Sequence, residues 1–147
     1  MGGEPWFYFV PYQTDINRAL QGLRKREFDA GRYNPVTPFP EFPVAANAPA
    51  PGAQHASIEE AIEAADADGT RSILDIERVS DDPDYGAITP LSEDNIVELF
   101  GTSTPTREMI ESNEDLFETI DRGQGIYIVA YRDGQPSEIF FAGYSFD

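Results

Sequence analysis

Four groups of side chains in this chain have the types and spacing to do chemistry. The first is Glu27. At 100° per residue it continues the stripe formed by Ile16, Leu20 and Leu23, so a carboxylate extends an apolar helix face. A buried carboxylate needs a partner; Arg24, Arg26 and Arg32 are close in sequence and Tyr33 can donate a hydrogen bond. Glu27, Arg32 and Tyr33 are therefore the candidate ligand-binding set; the structural alternative is a last-turn residue that bends out to solvent or pairs with an arginine. The second group is the basic run Arg18, Arg24, Lys25, Arg26 and Arg32, which holds half of the ten positive charges. It can meet an anion or the protein's own carboxylates.

The third group is acidic. Asp81, Asp82 and Asp84 sit in a turn-rich loop, SDDPDYG, and are the candidate partner-binding residues. Asp66, Asp68, Gly69 and Asp75 approach the register of a calcium loop, but its first position is Ala64 and its twelfth is an aspartate rather than glutamate. A helix C-terminus describes them better. The fourth group is Asp75 with Glu77, which alternate in a run expected to be a strand. A carboxylate pair of that kind can serve glycoside chemistry, or form the polar face of a one-sided sheet.

Other chemistries lack their residues. There is no cysteine, which excludes thiolate chemistry, disulfides and iron–sulfur sites. His55 is the single histidine, placed in an Ala/Pro-rich loop with no nucleophile elbow elsewhere, and multi-histidine metal centres cannot form. The Ser/Thr run 102–106 lacks P-loop glycines, so turn and capping chemistry explains it. No catalytic residue, metal ligand or cofactor site is assigned.

Charge narrows the partner. The formal net charge is -17 over 147 residues. Residues 1–56 are neutral, with Glu4, Asp15, Glu27, Asp29 and Glu41 balancing the five bases of the basic run; residues 57–147 carry the whole excess. Such a surface repels phosphates, so nucleic acid is not an expected partner. A basic protein is, and fields of this kind raise on-rate and specificity. Ordinary solubility, or adaptation to a salty cytoplasm, is the competing explanation of the acidity; the neutral first third fits whole-surface adaptation poorly. No run approaches the roughly 18 apolar residues that span a bilayer, the N-terminus lacks a secretory pattern, and Trp6 stands where myristoylation at Gly2 expects Ser or Thr. A cytoplasmic location and no membrane partner are the expectation.

The elements that must position these groups follow from pattern. WFYFVPY at 6–12 is a strand, with Pro11 suited to an edge. Asp15 or Thr14 caps a helix to about Ala30, ended by Gly31. Six prolines lie in 34–56, where Phe39, Phe42 and Val44 are expected to pack on the domain and 45–53 to form a mobile loop. Ser57 with Glu60 is a capping box opening a helix through Ala67. SILDIERV at 72–79 is expected as a strand. Ser92 caps a helix ending before Gly101, and Thr106 caps another to about Arg122, with a possible break at Ser112–Asn113. Asp133–Gly134 joins two β-rich runs into a hairpin. Eleven of 18 aromatics fall in 6–12 and 127–146, so the terminal strands should be neighbours. The expectation is one α+β domain with an antiparallel or mixed sheet of about four strands, helices mainly on one face and a C-terminal hairpin.

VPYQ at 10–13, LRKREFDAGRYNP at 23–35 and GTRSILDIERV at 69–79 together resemble a pattern in bacterial proteins of uncharacterised activity. The resemblance spans most of the chain and implies an intact domain, with no activity to carry over. Two function classes remain. One is a small, acidic, non-catalytic interaction module, of inhibitor or immunity type, for a basic partner. The other is a small-molecule-binding protein or enzyme, in which the terminal strands and Phe39–Phe42 wall a pocket with Glu27, Arg32 and Tyr33 at its mouth.

Overall fold

The computed structural model describes residues 4–45 and 47–145. Gly2, Ala46 and Phe146, which entered the reading above, lie outside them. The chain runs β1 (Pro5–Pro11), α1 (Ile16–Ala30), α2 (Ile58–Ala65), β2 (Arg78–Val79), β3 (Ala87–Pro90), α3 (Glu93–Phe100), α4 (Arg107–Glu111), β4 (Gly125–Arg132) and β5 (Gln135–Tyr144). The sheet has five strands in the order β1-β5-β4-β3-β2, rather than about four. The β4–β5 hairpin and the β1–β5 pair are antiparallel, while β2, β3 and β4 run parallel.

Side-chain alternation explains why this sheet holds two cores. Trp6, Tyr8 and Val10 of β1, with Ile139 and Phe141 of β5 and Ile88 of β3, face α1 through its Ala19, Leu20 and Leu23. Ile126, Ile128, Ala130, Phe140 and Ala142 face the opposite way, against Leu91, Ile110, Leu116 and Ile120. The long helix α1 and the shorter α2 build one layer; α3, α4 and a 3-10 turn at Leu116–Thr119 build the other. The expected one-sided covering is the heavier side of a two-sided arrangement.

The terminal strands pair along their full length, from Pro5 opposite Tyr144 to Pro11 opposite Glu138. The backbone bonds Ser145 N to Glu4 O and Tyr12 N to Ser137 O continue this ladder, so even-numbered residues of β1 turn their amides toward β5 and odd-numbered ones turn them outward. Proline occupies the first and last outward positions, 5 and 11. The free edge therefore offers only the amides of Phe7 and Phe9, and Phe42 packs beside them at 6.1 Å from Phe7 and 5.1 Å from Tyr8 between ring centres. That arrangement blunts an edge otherwise suited to pairing with another chain.

Local rules hold at the expected caps. Asp15 accepts from Arg18 N, Ser57 from Glu60 N, Ser92 from Asn95 N and Thr106 from Met109 N. Glu60 returns the favour at Ala56 N, 3.0 Å away. Asp133 and Gly134 both take positive φ, 52° and 78°, as a two-residue hairpin of this twist requires.

Candidate functional site

Of the two sequence-derived sites, the first is assembled in part. Glu27 is fully buried, and each oxygen is engaged: Arg32 Nε donates to Oε1 at 3.0 Å, while Arg32 Nη2 and Arg26 Nε donate to Oε2 at 2.9 Å each. The hydrogen bond to Glu27 holds the Arg32 guanidinium above its ordinary range. Gly31 makes this possible. Its left-handed φ of 74° ends α1 and lets Arg32 N bond back to Glu27 O. Tyr33 turns elsewhere. Its ring stacks on Phe28 and its hydroxyl meets His55 Nδ1 at 2.6 Å. The contact ties the Pro-rich segment to the domain, as does Gly52 N, which donates to Ala30 O.

The rest of the basic run is also partly engaged inside the protein. Lys25 pairs with Asp29, and Arg24 bonds Gln21 and Leu74 O. Phe42 and Val44 pack against the α1-side core, whereas Phe39 is 66% exposed under the Arg71 guanidinium.

The strand expected at 72–79 is instead a 3-10 turn at Ile73–Asp75 followed by the two residues of β2. Ser72 caps that turn through Leu74 N. Asp75 consequently points inward rather than sharing a polar face with the exposed Glu77. Its Oδ1 accepts from Thr70 N at 2.8 Å and Thr70 Oγ1 at 2.9 Å, and Oδ2 has no hydrogen-bond partner. Burial raises its pKa above the ordinary 3.8, outweighing the Thr70 donors. Such a group is protonated in both states at low pH and favours the unfolded chain once it must ionise in the fold. Its penalty grows as pH rises from about 4 through the raised value. Asp75→Asn should therefore gain on the parent protein between pH about 4 and 7 in urea unfolding at several pH values. Parallel stability curves for the two proteins would reject this account.

The acidic loop lies at the end of the sheet where β1, β3 and β4 begin and β5 finishes. Gly86 N donates to Gly123 O, joining the loop to the segment that enters β4. Asp84 pairs with Arg78 at 2.8 Å with both side chains largely exposed, while Asp81 and Asp82 are exposed. Asp81 is close enough to add to the burial that raises the Tyr127 hydroxyl. Beside the loop opens a cleft of about 960 Å³, walled by Tyr85, Phe117, Ile120, Tyr144, Pro5 and Gln124 and rimmed by Glu114, Glu118, Asp121 and Arg122. Phe117 and Tyr144 meet edge-on at 5.7 Å, and Tyr85 is 64% exposed.

Sequence reasoning took 106–122 as helix with a break near Ser112–Asn113, where the structure has one, but it gave no role to the acids beyond that break. The helix stops at Glu111. Asn113 then donates to Leu99 O and accepts from Asp115 N, and a 3-10 turn begins at Leu116. A second, smaller groove flanks that turn, with Glu98, Asp115 and Glu118 in its lining. Residues 91–124, which cover one sheet face, carry nine acids against Arg107 and Arg122. Arg107 is itself engaged by Glu111 and Glu138.

Among the described residues no group of three or more His, Asp and Glu is placed to hold a metal, and no helix is long and apolar enough to cross a membrane. No family model, no curated protein and no solved structure matches this chain.

Proposed function

We propose that this protein is a non-catalytic interaction module whose acidic layer and adjoining loop bind a basic partner protein. The observation that carries the reading is the acidic cover that residues 91–124 build over one sheet face, next to the Asp81–Asp84 loop; the α1 layer has acids of its own, seven over 57–79 against two arginines, but also holds the basic run. On the α1 side the basic run meets Glu27 and Asp29, and Arg24 feels Glu77 and Glu59. On the other side nine carboxylates have two arginines among them. An uncompensated field of this kind costs stability through self-repulsion, and it raises the encounter rate with a positively charged surface. The Glu27 site supports a ligand role less well, since both carboxylate oxygens already hold arginine donors.

Lysine at Asp81, Asp82 and Asp84 together should test this directly. The three side chains are exposed, and the one ion pair lost, to Arg78, is a surface pair worth little, so the fold should persist. A partner captured from host extract at about 0.15 M salt should be lost at about 1 M, where the Debye length falls to about 3 Å. The triple variant should bind the purified partner at least about tenfold more weakly, mainly through on-rate. Glu27→Gln should leave that binding intact. The reverse pattern, with Glu27→Gln abolishing binding and the lysine variant unaffected, would move the site to α1.

A further inference from the structure

We propose that the contact between Tyr33 and His55 is a pH-sensitive latch, which holds residues 51–56 as a strap on the end of α1 while His55 is neutral and releases them when His55 takes a proton. The latch lies across the sheet from the acidic cover and acts independently of it. The strap sits tight on the helix end. Gly52 N donates to Ala30 O at 2.9 Å, and a Cβ on Gly31 would run into the Gly52 carbonyl, so glycine is needed for the two segments to meet. Beneath the strap Tyr33 is completely buried, with Phe28, Ile58, Ala61 and Leu74 around it.

The direction of the 2.6 Å bond follows from the partners of the Tyr33 hydroxyl. Burial raises it above its ordinary range, so it keeps its proton. Its oxygen accepts from Gln54 N, and among the described residues His55 Nδ1 is the other polar atom bonded to it. Tyr33 therefore donates to Nδ1, which leaves the neutral imidazole with its hydrogen on Nε2. Protonation puts a hydrogen on Nδ1 as well. Gln54 N and Nδ1 then both point hydrogens at the oxygen, and the Tyr33 hydrogen has no acceptor in a site sealed from water. A buried donor without an acceptor is costly, whereas lifting the strap lets water satisfy both groups. The closed state thus prefers neutral His55, and falling pH opens it. The charged groups on the elements around the ring are few. On α1 and the turn after it, Lys25 pairs with Asp29 and Arg32 with Glu27. On α2, Glu60 accepts from Ala56 N and Glu59 acts on Arg24. The 3-10 turn that carries Leu74 also carries Asp75, whose raised carboxyl is the group to separate from His55. The strap has no other ionisable side chain, and the chain has no other histidine.

The test is amide exchange at Gly52 and Gln54 in the full chain, corrected for its intrinsic pH dependence, together with the nitrogen shifts of the single imidazole. At pH about 8 the ring should carry its hydrogen on Nε2. Exchange at both amides should speed up about tenfold between pH about 8 and 5, in step with ring protonation, while amides of the β4–β5 hairpin keep their protection. His55→Asn places an uncharged acceptor where Nδ1 was and should abolish the pH dependence. Tyr33→Phe, with no hydrogen to strand, should abolish it too. Asp75→Asn should leave it unchanged. A neutral ring with its hydrogen on Nδ1 overturns the latch, and so does exchange that stays flat while the ring titrates. Faster exchange in acid that persists in His55→Asn, disappears in Asp75→Asn or extends to the hairpin belongs to another group or to the whole fold, and overturns it equally.

Discussion

Glu27→Ala should cost about 3 kcal/mol of folding stability, read as a lower urea midpoint at unchanged slope. Three charge-assisted hydrogen bonds converge on this fully buried carboxylate, two of them from the fork of Arg32. The two arginines do not suffer equally when it goes. Arg26 is 46% exposed and can turn its charge into water, so little of the loss belongs to it. Arg32 is only 15% exposed and would be left as an uncompensated, mostly buried cation. Glu27→Gln keeps one acceptor and should lose less. The informative comparison is Glu27→Met with Arg32→Met. Replacing a buried ion pair by apolar side chains of similar volume is often neutral, so the double variant should be more stable than either single one. If Glu27→Ala unfolds within about 0.5 kcal/mol of the parent protein, the range of ordinary surface changes, the cluster is not structural and a ligand role for Glu27 regains its claim.

That residue also shows how far one sequence can be read. Its place on the apolar face was legible, because Ile16, Leu20, Leu23 and Glu27 share a helix face whatever the tertiary fold; that it is buried there, rather than bent out to solvent at the helix end, was not. The identity of its partners was legible only as a set of nearby candidates. Tyr33 left the set because the chain turns at Gly31 and sends the Tyr33 ring toward Phe28 and His55. Caps, the hairpin and the pairing of terminal strands were legible for the same reason: each depends on a few adjacent residues or on strong aromatic composition.

What escaped depends on contacts between distant segments. β3 is four residues long, buried over its first three and closed by Pro90, so it shows no alternation to detect. The run 72–79 alternates well enough to suggest a strand. A local network of Thr70, Ser72 and Asp75 hydroxyl and carboxylate groups folds its first half into a turn instead, and inverts the reading of Asp75. The break near Ser112–Asn113 was legible, but the acidic rim of the cleft was hidden because nothing in the spacing of Glu114, Glu118 and Asp121 tells that the chain beyond the break is a 3-10 turn at the sheet end. Charge counted along the chain does not mark that segment either, since residues 57–90 carry ten acids against two arginines and 91–124 nine against two.

The sheet end also carries the second large effect. Gly143→Ala should destabilise by about 3 kcal/mol, at the upper end for overpacking a core. A Cβ at that position would lie 2.4 Å from Trp6 Cζ2, 2.8 Å from Trp6 Cη2 and 2.5 Å from the Gln124 carbonyl oxygen. Trp6 is completely buried and cannot swing away, and the carbonyl is backbone. Gly143 pairs with Trp6 on one side and with Gly125 on the other, so the two glycines leave the space that the indole fills. Trp6→Phe replaces the two-ring indole by a single phenyl ring, takes away the outer atoms around Cζ2 and Cη2, and should itself cost about 2 kcal/mol through the cavity it leaves. In the double variant the new methyl occupies part of that cavity, so the cost should fall short of the sum by about 1 kcal/mol or more. It should not vanish, because the contact with Gln124 remains. Strict additivity would show that the strain lies entirely in the backbone at Gln124.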